Sequence, residues 1–162
     1  TAYYYFSKGE RVQRLIHHLK YKGRKDVGTF IGRMMGTELQ KSVFNSIDLV
    51  VPVPLHESRF RQRGYNQSDC IAEGIAAGLK KEFSFTALER YEATSTQTRK
   101  HRYERYRNVK NIFRVSDREA IKSRNILLVD DVITTGSTLI SCAEALLEVP
   151  GTSVYIAAIA CA

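Results

Sequence analysis

The stretch that decides the fold is Ile126-Leu127-Leu128-Val129-Asp130-Asp131-Val132-Ile133-Thr134-Thr135-Gly136-Ser137-Thr138. Its apolar start predicts a buried β-strand from Asn125 to Val129. A turn from Asp130 to Ser137 follows, and apolar residues at helical spacing then predict a helix from Leu139 to Leu147. Because ligands of open α/β sheets bind at the carboxyl ends of strands, we expect this turn to carry a binding site.

The second half of the turn has the chemistry of a phosphate site. Gly136 allows the backbone to approach a ligand closely, and the N-terminus of the next helix supplies free N–H groups. The helix dipole contributes about 0.3 to 1 kcal/mol, and each charge-assisted hydrogen bond about 1.5 to 3 kcal/mol. Further donors come from the hydroxyl groups of Thr134, Thr135, Ser137 and Thr138. Together these groups can hold one phosphate monoester.

The two acids at the start of the turn need a different partner, because carboxylates alone would repel a phosphate. Ionised carboxylates accept hydrogen bonds from vicinal diols, and ribose 5-phosphate offers a diol at one end and an anion at the other. The plain alternative is that Asp130 and Asp131 initiate a turn and the hydroxyl residues cap a helix. A cap needs only one such residue, and neither Gly-x-x-x-x-Gly-Lys-Ser/Thr nor Gly-x-Gly-x-x-Gly occurs in the chain.

The rest of the chain alternates apolar strands with amphipathic helices. Strands are predicted at 48–51, 83–90, 111–115 and 154–160, and helices at 10–19, 27–39 and 70–79 with Ser68 as a plausible N-cap. The helix at 27–39 depends on Phe30, Ile31, Met34 and Met35, and residues 59–67 are predicted to form a loop. This alternation indicates an α/β fold with a mostly parallel central sheet flanked by helices.

Composition narrows the class of partner and the compartment. The chain has 162 residues and a formal charge of +8, with basic residues clustered at 59–63 and 99–107. Such a charge suits an anion, either nucleic acid or a small polyanion. No signal peptide or run of about 18 apolar residues is present, so we expect a cytoplasmic protein without membrane insertion. Cys70, Cys142 and Cys161 are expected to be core residues, because their spacing fits neither a disulfide framework nor a metal site.

With these residues in view, the sequence resembles the phosphoribosyltransferases, whose hallmark is an apolar strand, two acids and a Thr-Gly-x-Thr-like phosphate loop. It is more closely similar to the ComF branch, phosphoribosyltransferase-like proteins named for a role in competence for DNA uptake. That similarity lies in Val51-Pro52-Val53-Pro54-Leu55-His56, in Arg63-Gly64-Tyr65-Asn66-Gln67-Ser68 and in residues 97–109. The resemblance implies a type I phosphoribosyltransferase fold in a single domain, with residues 1–45 as a small helical hood and 46–162 as the core.

The resemblance also implies roles for individual residues. Asp130 and Asp131 are the expected catalytic residues, which hold the ribose hydroxyls directly or through Mg²⁺. The expected 5-phosphate site is Thr134, Thr135, Gly136, Ser137 and Thr138. A diphosphate loop is expected from Pro52, Val53 and Pro54, supported by Arg63. The basic segment from Glu92 to Lys110 matches a mobile loop, with the candidates Arg99, Lys100, Arg102 and Arg105.

The function implied is transfer of a phosphoribosyl group from phosphoribosyl diphosphate to a nitrogen acceptor in nucleotide metabolism, with release of diphosphate and Mg²⁺ as cofactor. The alternative is a ComF-like accessory protein for DNA uptake. Such a protein would bind single-stranded DNA, on which Tyr103 and Tyr106 would stack, or would sense a nucleotide without turnover. The partners considered are therefore phosphoribosyl diphosphate or a nucleotide, single-stranded DNA, and a second copy of the chain in a homodimer.

Overall fold

The computed structural model describes residues 2–5, 10–21, 23–91 and 112–161. Its strands are β1 (Ala2–Tyr5), β2 (Leu49–Pro52), β3 (Glu82–Phe83), β4 (Leu88–Arg90), β5 (Phe113–Val115), β6 (Asn125–Ile133) and β7 (Ser153–Cys161). Its helices are α1 (Glu10–Tyr21), α2 (Lys25–Leu39), α3 (Glu57–Arg63), α4 (Gln67–Leu79), α5 (Arg118–Ile121) and α6 (Ser137–Leu147), with a 3₁₀ turn at Val43–Ser46.

Five strands form a parallel sheet in the order β1-β7-β6-β2-β3, which confirms the predicted α/β class. Strand β2 leads along the chain to β3 on one side of the sheet, whereas β6 leads to β7 on the other side. The boundary between β2 and β6 is therefore the point at which the strand order reverses. Pro52 at the end of β2 is in register with Val129 of β6. Ligands of such sheets bind in the crevice at this boundary, so the fold brings the two expected loops together.

Strand β6 is apolar throughout its first half because helices cover both faces of the sheet. Leu127 and Val129 pack into one core with α2 and α4, and Ile126 and Leu128 pack into a second core with α6. All four side chains are fully buried. Alternate residues of a strand point to opposite faces, so a continuous apolar run is the expected signature of a strand with no solvated face.

Helix α2 lies at the predicted position, but only part of the predicted apolar stripe faces the core: Met35 is buried and Ile31 packs at the edge of the core. Phe30 and Met34 are 65% and 45% exposed. The side of α2 that faces α4 carries glycines, and a Cβ added at Gly32 would lie 2.2 Å from the carbonyl oxygen of Ile71 in α4. The two helices approach backbone to backbone, so three of the four buried residues of α2 are glycines, which a search for large apolar residues overlooks.

Several predicted boundaries were wrong for identifiable reasons. The predicted loop at 59–67 contains helix α3, which has no buried residue and so leaves no apolar periodicity in the sequence. The predicted strand at 83–90 is two strands, β3 and β4, which belong to different sheets. The predicted turn starting at Asp130 begins later, because β6 continues to pair with β7 as far as Ile133. The N-cap of α4 is Asn66, whose side chain accepts from the N–H of Ser68.

The cysteine prediction is confirmed for two of the three residues. Cys70 and Cys142 are buried in α4 and α6, whereas Cys161, at the end of β7, is only half-buried and does not belong to the core. Among the described residues, no helix combines the length and apolar character needed to cross a membrane. The division into a hood (1–45) and a core (46–162) stays a prediction; β1 pairs with β7 in the main sheet, and α2 packs against α4.

Candidate functional site

A cavity of about 540 Å³ opens at the carboxyl ends of β2 and β6. Of the residues predicted for the site, its wall includes Val53, Pro54, Arg63, Asp130, Asp131, Thr134 and Thr138. Further polar residues, none of which the sequence analysis placed in the site, also line it, namely Lys20, His56, Arg59, Asn66, Gln67, Ser68 and Arg90. The cavity therefore joins the acidic pair, part of the hydroxyl-rich turn and the proline-containing loop in one site, with basic side chains beside them.

The acidic pair has a defined hydrogen-bond environment. The Ser68 hydroxyl donates to Oδ1 of Asp130 at 3.1 Å, and the backbone N–H of Asp131 donates to the same oxygen at 2.8 Å. Burial, and then the neighbouring charge of Asp131, raise the pKa of Asp130 to about 6. Asp130 is therefore mostly ionised at neutral pH and becomes protonated in mild acid, which makes its capacity to accept hydrogen bonds from hydroxyl groups pH-dependent.

Asp131 forms an ion pair that the sequence analysis did not anticipate. Nζ of Lys20 lies 2.8 Å from Oδ2 of Asp131, and the two side chains are 25% and 13% exposed. Lys20 is in α1, which a second contact ties to the site, because the Tyr65 hydroxyl donates to the backbone carbonyl of Leu19. No sequence signal short of the fold could have paired Lys20 with an acid more than a hundred residues away.

The hydroxyl-rich turn has the geometry of an open anion site. Gly136 is the N-cap of α6 with a φ of 74°, a backbone conformation that glycine adopts readily. It has no side chain to cap the helix, and a Cβ built there would meet nothing within 4 Å. Thr135 and Ser137 are exposed, with their hydroxyl oxygens 3.1 Å apart. A depression of about 50 Å³ lies over this turn, lined by Asp130 and by residues 132–139. The helix N-terminus and the hydroxyl groups are thus accessible to a phosphate.

The loop after β2 is held in place by the buried side-chain amide of Asn66. The Val53 N–H donates to the carbonyl of Val129 at 2.8 Å, and the Val53 carbonyl accepts from Nδ2 of Asn66 at 3.0 Å. Asn66 also caps α4 and donates to Asp69 at 2.6 Å. Burial raises the pKa of Asp69 to about 6, although this hydrogen bond lowers it. Sequence reasoning missed the role of Asn66, and an asparagine directly before a helix was the signal that could have revealed it.

The basic part of the cavity comes mainly from α3 and β4. Arg63 donates from Nη1 to Oε1 of Gln67 at 2.8 Å, so this predicted residue lies in the cavity but on a helix. His56 caps α3, accepting the Ser58 N–H at 3.1 Å. Of the remaining predicted residues, Pro52 ends β2, and Thr135, Gly136 and Ser137 line the adjoining depression. The predicted mobile-loop residues Arg99, Lys100, Arg102 and Arg105 lie outside the described residues.

Comparison with known families fits this geometry. The sequence model of the family described as "Phosphoribosyl transferase domain" matches residues 68–161, which run from the N-terminus of α4 through the acidic pair and the hydroxyl-rich turn to β7. The chain belongs to the phosphoribosyl transferase domain family. The phosphoribosyltransferase resemblance inferred from residues 126–138 is therefore confirmed.

Relatives within this family support the closer similarity to the ComF branch. The chain is 34% identical over 138 residues to the DNA utilization protein YhgH of Escherichia coli K12, covering 83% of this chain and 60% of that protein. It is 37% identical over 93 residues to competence protein F of Haemophilus influenzae, covering 57% of this chain and 41% of that protein. The aligned part of the chain thus spans less than two thirds of the length of either relative.

A solved structure supports the fold. Glutamine phosphoribosylpyrophosphate amidotransferase from B. subtilis, complexed with ADP and GMP, superposes with a TM-score of 0.60 at 18% identity, covering 88% of this chain and 30% of that one. At this level of identity the likeness concerns the fold alone. It confirms that the sheet and its flanking helices are those of the type I phosphoribosyltransferases.

Proposed function

We propose that the chain binds phosphoribosyl diphosphate and transfers its phosphoribosyl group to a nitrogen acceptor of nucleotide metabolism, releasing diphosphate. The observation that carries this proposal is the continuity of one cavity wall from the acidic pair to the hydroxyl-rich turn. An acidic pair that can accept hydrogen bonds from hydroxyl groups, next to an exposed helix N-terminus, matches the two ends of a ribose 5-phosphate. Membership in the phosphoribosyl transferase domain family supports the same assignment.

In the proposed reaction the C1–O bond to diphosphate breaks, its electron pair leaves with the diphosphate, and the acceptor nitrogen forms the new bond to C1. Positive charge develops on the ribose ring in the transition state. Asp130 and Asp131 would hold the 2- and 3-hydroxyl groups as acceptors, and the turn from Thr134 to Thr138 would hold the 5-phosphate. Basic side chains of the cavity would neutralise the departing diphosphate. No covalent bond to the protein is needed, so catalysis would come from electrostatic preorganisation and exclusion of water.

The carboxylates of Asp130 and Asp131 also suit Mg²⁺, which prefers oxygen ligands. Within the described part of the chain no group of three or more His, Cys, Asp or Glu side chains could hold a metal by itself. Two carboxylates fit the usual magnesium arrangement in nucleotide enzymes, in which substrate oxygens and water complete the shell. Bound there, Mg²⁺ would supply positive charge to the diphosphate. Oδ2 of Asp131 is paired with Lys20, so Asp131 would contribute through Oδ1 or after releasing Lys20.

Thermal unfolding with and without phosphoribosyl diphosphate and Mg²⁺ tests the proposal. A ligand at a hundred times its dissociation constant stabilises a protein by about 2.7 kcal/mol, which for a chain of this size corresponds to an increase in Tm of roughly 5 to 11 °C. Asp131→Asn should lose most of this increase. If phosphoribosyl diphosphate with Mg²⁺ does not raise the Tm of the wild-type protein, the proposal is wrong. Release of diphosphate in the presence of candidate nitrogen acceptors then separates an enzyme from a protein that only binds.

A second candidate function is supported by the names of the relatives, a DNA utilization protein and a competence protein, and by the net charge of +8. In this case the chain would bind single-stranded DNA as an accessory protein, with or without a nucleotide. Its affinity for an oligonucleotide should then fall steeply with added salt and on replacement of Arg99, Lys100 and Arg102. Undetectable binding at low salt would exclude it. Cytoplasmic location and a homodimer stay predictions under either function.

A further inference from the structure

Arg90 stands between the main cavity and a neighbouring one. It is the last residue of β4 and lines the main cavity together with Pro54 and Leu55. It also lines a second cavity of about 460 Å³, whose wall includes Leu55 and the exposed ring of Phe60. Arg90 is absent from the lining of the depression over the turn at 134–138. Its guanidinium therefore belongs to the part of the site formed by the loop after β2.

The guanidinium is held in place by an aromatic ring. In the antiparallel pair of β4 and β5, Arg90 is opposite Phe113, and its Cζ lies 5.5 Å from the centre of the Phe113 ring. Phe113 is 7% exposed and belongs to the core beneath the sheet. A ring fixed in a core restricts a side chain stacked on it, and the cation–π contact leaves the N–H donors at the edge of the guanidinium available for other partners.

No described residue supplies those partners. Nε of Arg90 is buried and has no hydrogen-bond partner. Within the described ranges, no carboxylate lies within 4.0 Å of the Arg90 guanidinium, whereas Arg114 on the adjacent strand bonds to Glu89 at 3.1 Å. The side chain of Arg114 is 61% exposed and paired, so the more buried cation is the one without a counterion. Buried charges are normally paired, so the Arg90 guanidinium has room for an anion that the described residues do not supply.

We infer that the Arg90 guanidinium binds the diphosphate group of phosphoribosyl diphosphate, an assignment that rests on the proposed function. The 5-phosphate has its own donors in the turn at 134–138, whose depression Arg90 does not line. Leu55, which shares both cavities with Arg90, directly follows the loop expected to hold diphosphate. The planar fork of an arginine matches two phosphate oxygens, which a lysine ammonium does not. Arg90 is thus a specificity residue for a 1-diphosphate over a plain sugar phosphate.

Calorimetric titration with two ligands tests the assignment. Phosphoribosyl diphosphate with Mg²⁺ and ribose 5-phosphate with Mg²⁺ are each titrated into wild type, Arg90→Gln, Arg90→Lys and the matched control Arg114→Gln. We expect Arg90→Gln to weaken binding of phosphoribosyl diphosphate about 10- to 100-fold, the loss of charge-assisted hydrogen bonds. Its affinity for ribose 5-phosphate should stay at the wild-type value. Arg90→Lys should give a smaller loss, and Arg114→Gln none.

The outcomes separate this inference from the proposed function. If Arg90→Gln binds phosphoribosyl diphosphate as tightly as wild type, or loses affinity equally for both ligands, Arg90 does not select diphosphate, while the proposed function stands on the wild-type titrations. If wild type binds neither ligand, the proposed function falls and the assignment falls with it. Unfolding midpoints of the ligand-free variants identify any that do not fold. If Arg90→Gln does not fold, Arg90→Lys is compared instead, because it keeps a cation on the Phe113 ring.

Discussion

Replacing Asp130 with asparagine should stabilise the ligand-free protein while abolishing ligand binding. The pKa of Asp130 rises from 3.8 to about 6 on folding, chiefly because its carboxylate is buried. One pKa unit corresponds to about 1.36 kcal/mol, so the ionised carboxylate costs about 3 kcal/mol of folding free energy at neutral pH. Asparagine keeps an oxygen that can accept from Ser68 and from the Asp131 N–H, and carries no charge. We expect Asp130→Asn to be more stable by about 1 to 3 kcal/mol at pH 7.5.

The gain should depend on pH in a defined direction. Because the folded state holds the Asp130 proton more tightly than the unfolded chain, this carboxyl lowers stability as pH rises from about 4 to 6. Wild type and Asp130→Asn should therefore differ little near pH 4, diverge through this window, and keep a constant difference above it. Titration of Asp69, whose pKa is also raised to about 6, affects both proteins equally and cancels in the comparison.

Urea unfolding at several pH values, followed by circular dichroism, measures this difference. Asp131→Asn is the matched control, since it removes the neighbouring charge but deprives Lys20 of its ion-pair partner 2.8 Å away. We expect Asp131→Asn to show no comparable gain. The reasoning is refuted if Asp130→Asn is less stable than wild type at pH 7.5, or if its gain is the same at pH 4 as at pH 7.5. Loss of sugar-phosphate binding in the stabilised variant would identify Asp130 as a residue kept for function at a cost in stability.

Three further substitutions test the packing, the turn and the loop. Gly32→Ala should lower the free energy of unfolding by about 2 kcal/mol or more, because its Cβ would lie 2.2 Å from a backbone carbonyl; urea unfolding measures this. In the control Gly28→Ala the Cβ would meet side-chain atoms at 3.1 and 3.2 Å, so the loss of stability should be smaller. Gly136→Ala should lower the free energy of unfolding by about 1 kcal/mol because of the positive φ at this position. Calorimetry should also show weaker binding of ribose 5-phosphate, with a loss of binding free energy larger than this strain. Asn66→Ala should lower stability by about 1 to 3 kcal/mol, since it removes a helix cap and leaves the Val53 carbonyl without its donor, whereas the exposed Asn45→Ala should be neutral.

The part of the site that the sequence could predict lies in contiguous residues. Asp130 to Thr138 bring the acids and the hydroxyl groups together in nine consecutive positions that begin in the strand β6, so their chemistry can be seen before the fold is known. The same holds for β6 itself, whose apolar run has a direct physical cause in a sheet covered on both faces. Local order of residues was enough for both inferences.

The part that could not be predicted depends on contacts between distant segments. Lys20 and Arg90 belong to elements remote in sequence from Asp130, and a basic side chain in a periodic pattern does not show which acid or ligand it will meet. Helix α3 left no apolar pattern because none of its residues is buried. Helix α2 was predicted from Phe30, Ile31, Met34 and Met35, of which Phe30 and Met34 are exposed. Most of its buried positions are glycines, which hydrophobic periodicity does not register.

The glycine contact between α2 and α4 also determines how precisely α4 positions the groups of the site. Gly32 touches α4 at Ile71, one turn beyond Ser68, and that same helix start carries Asn66. Through these two side chains, the start of α4 fixes both the Asp130 carboxylate and the loop at Val53. A shift of a few tenths of an ångström in α4 would stretch both hydrogen bonds at once. Ligand affinity should consequently respond to substitutions on α2 that no ligand ever touches.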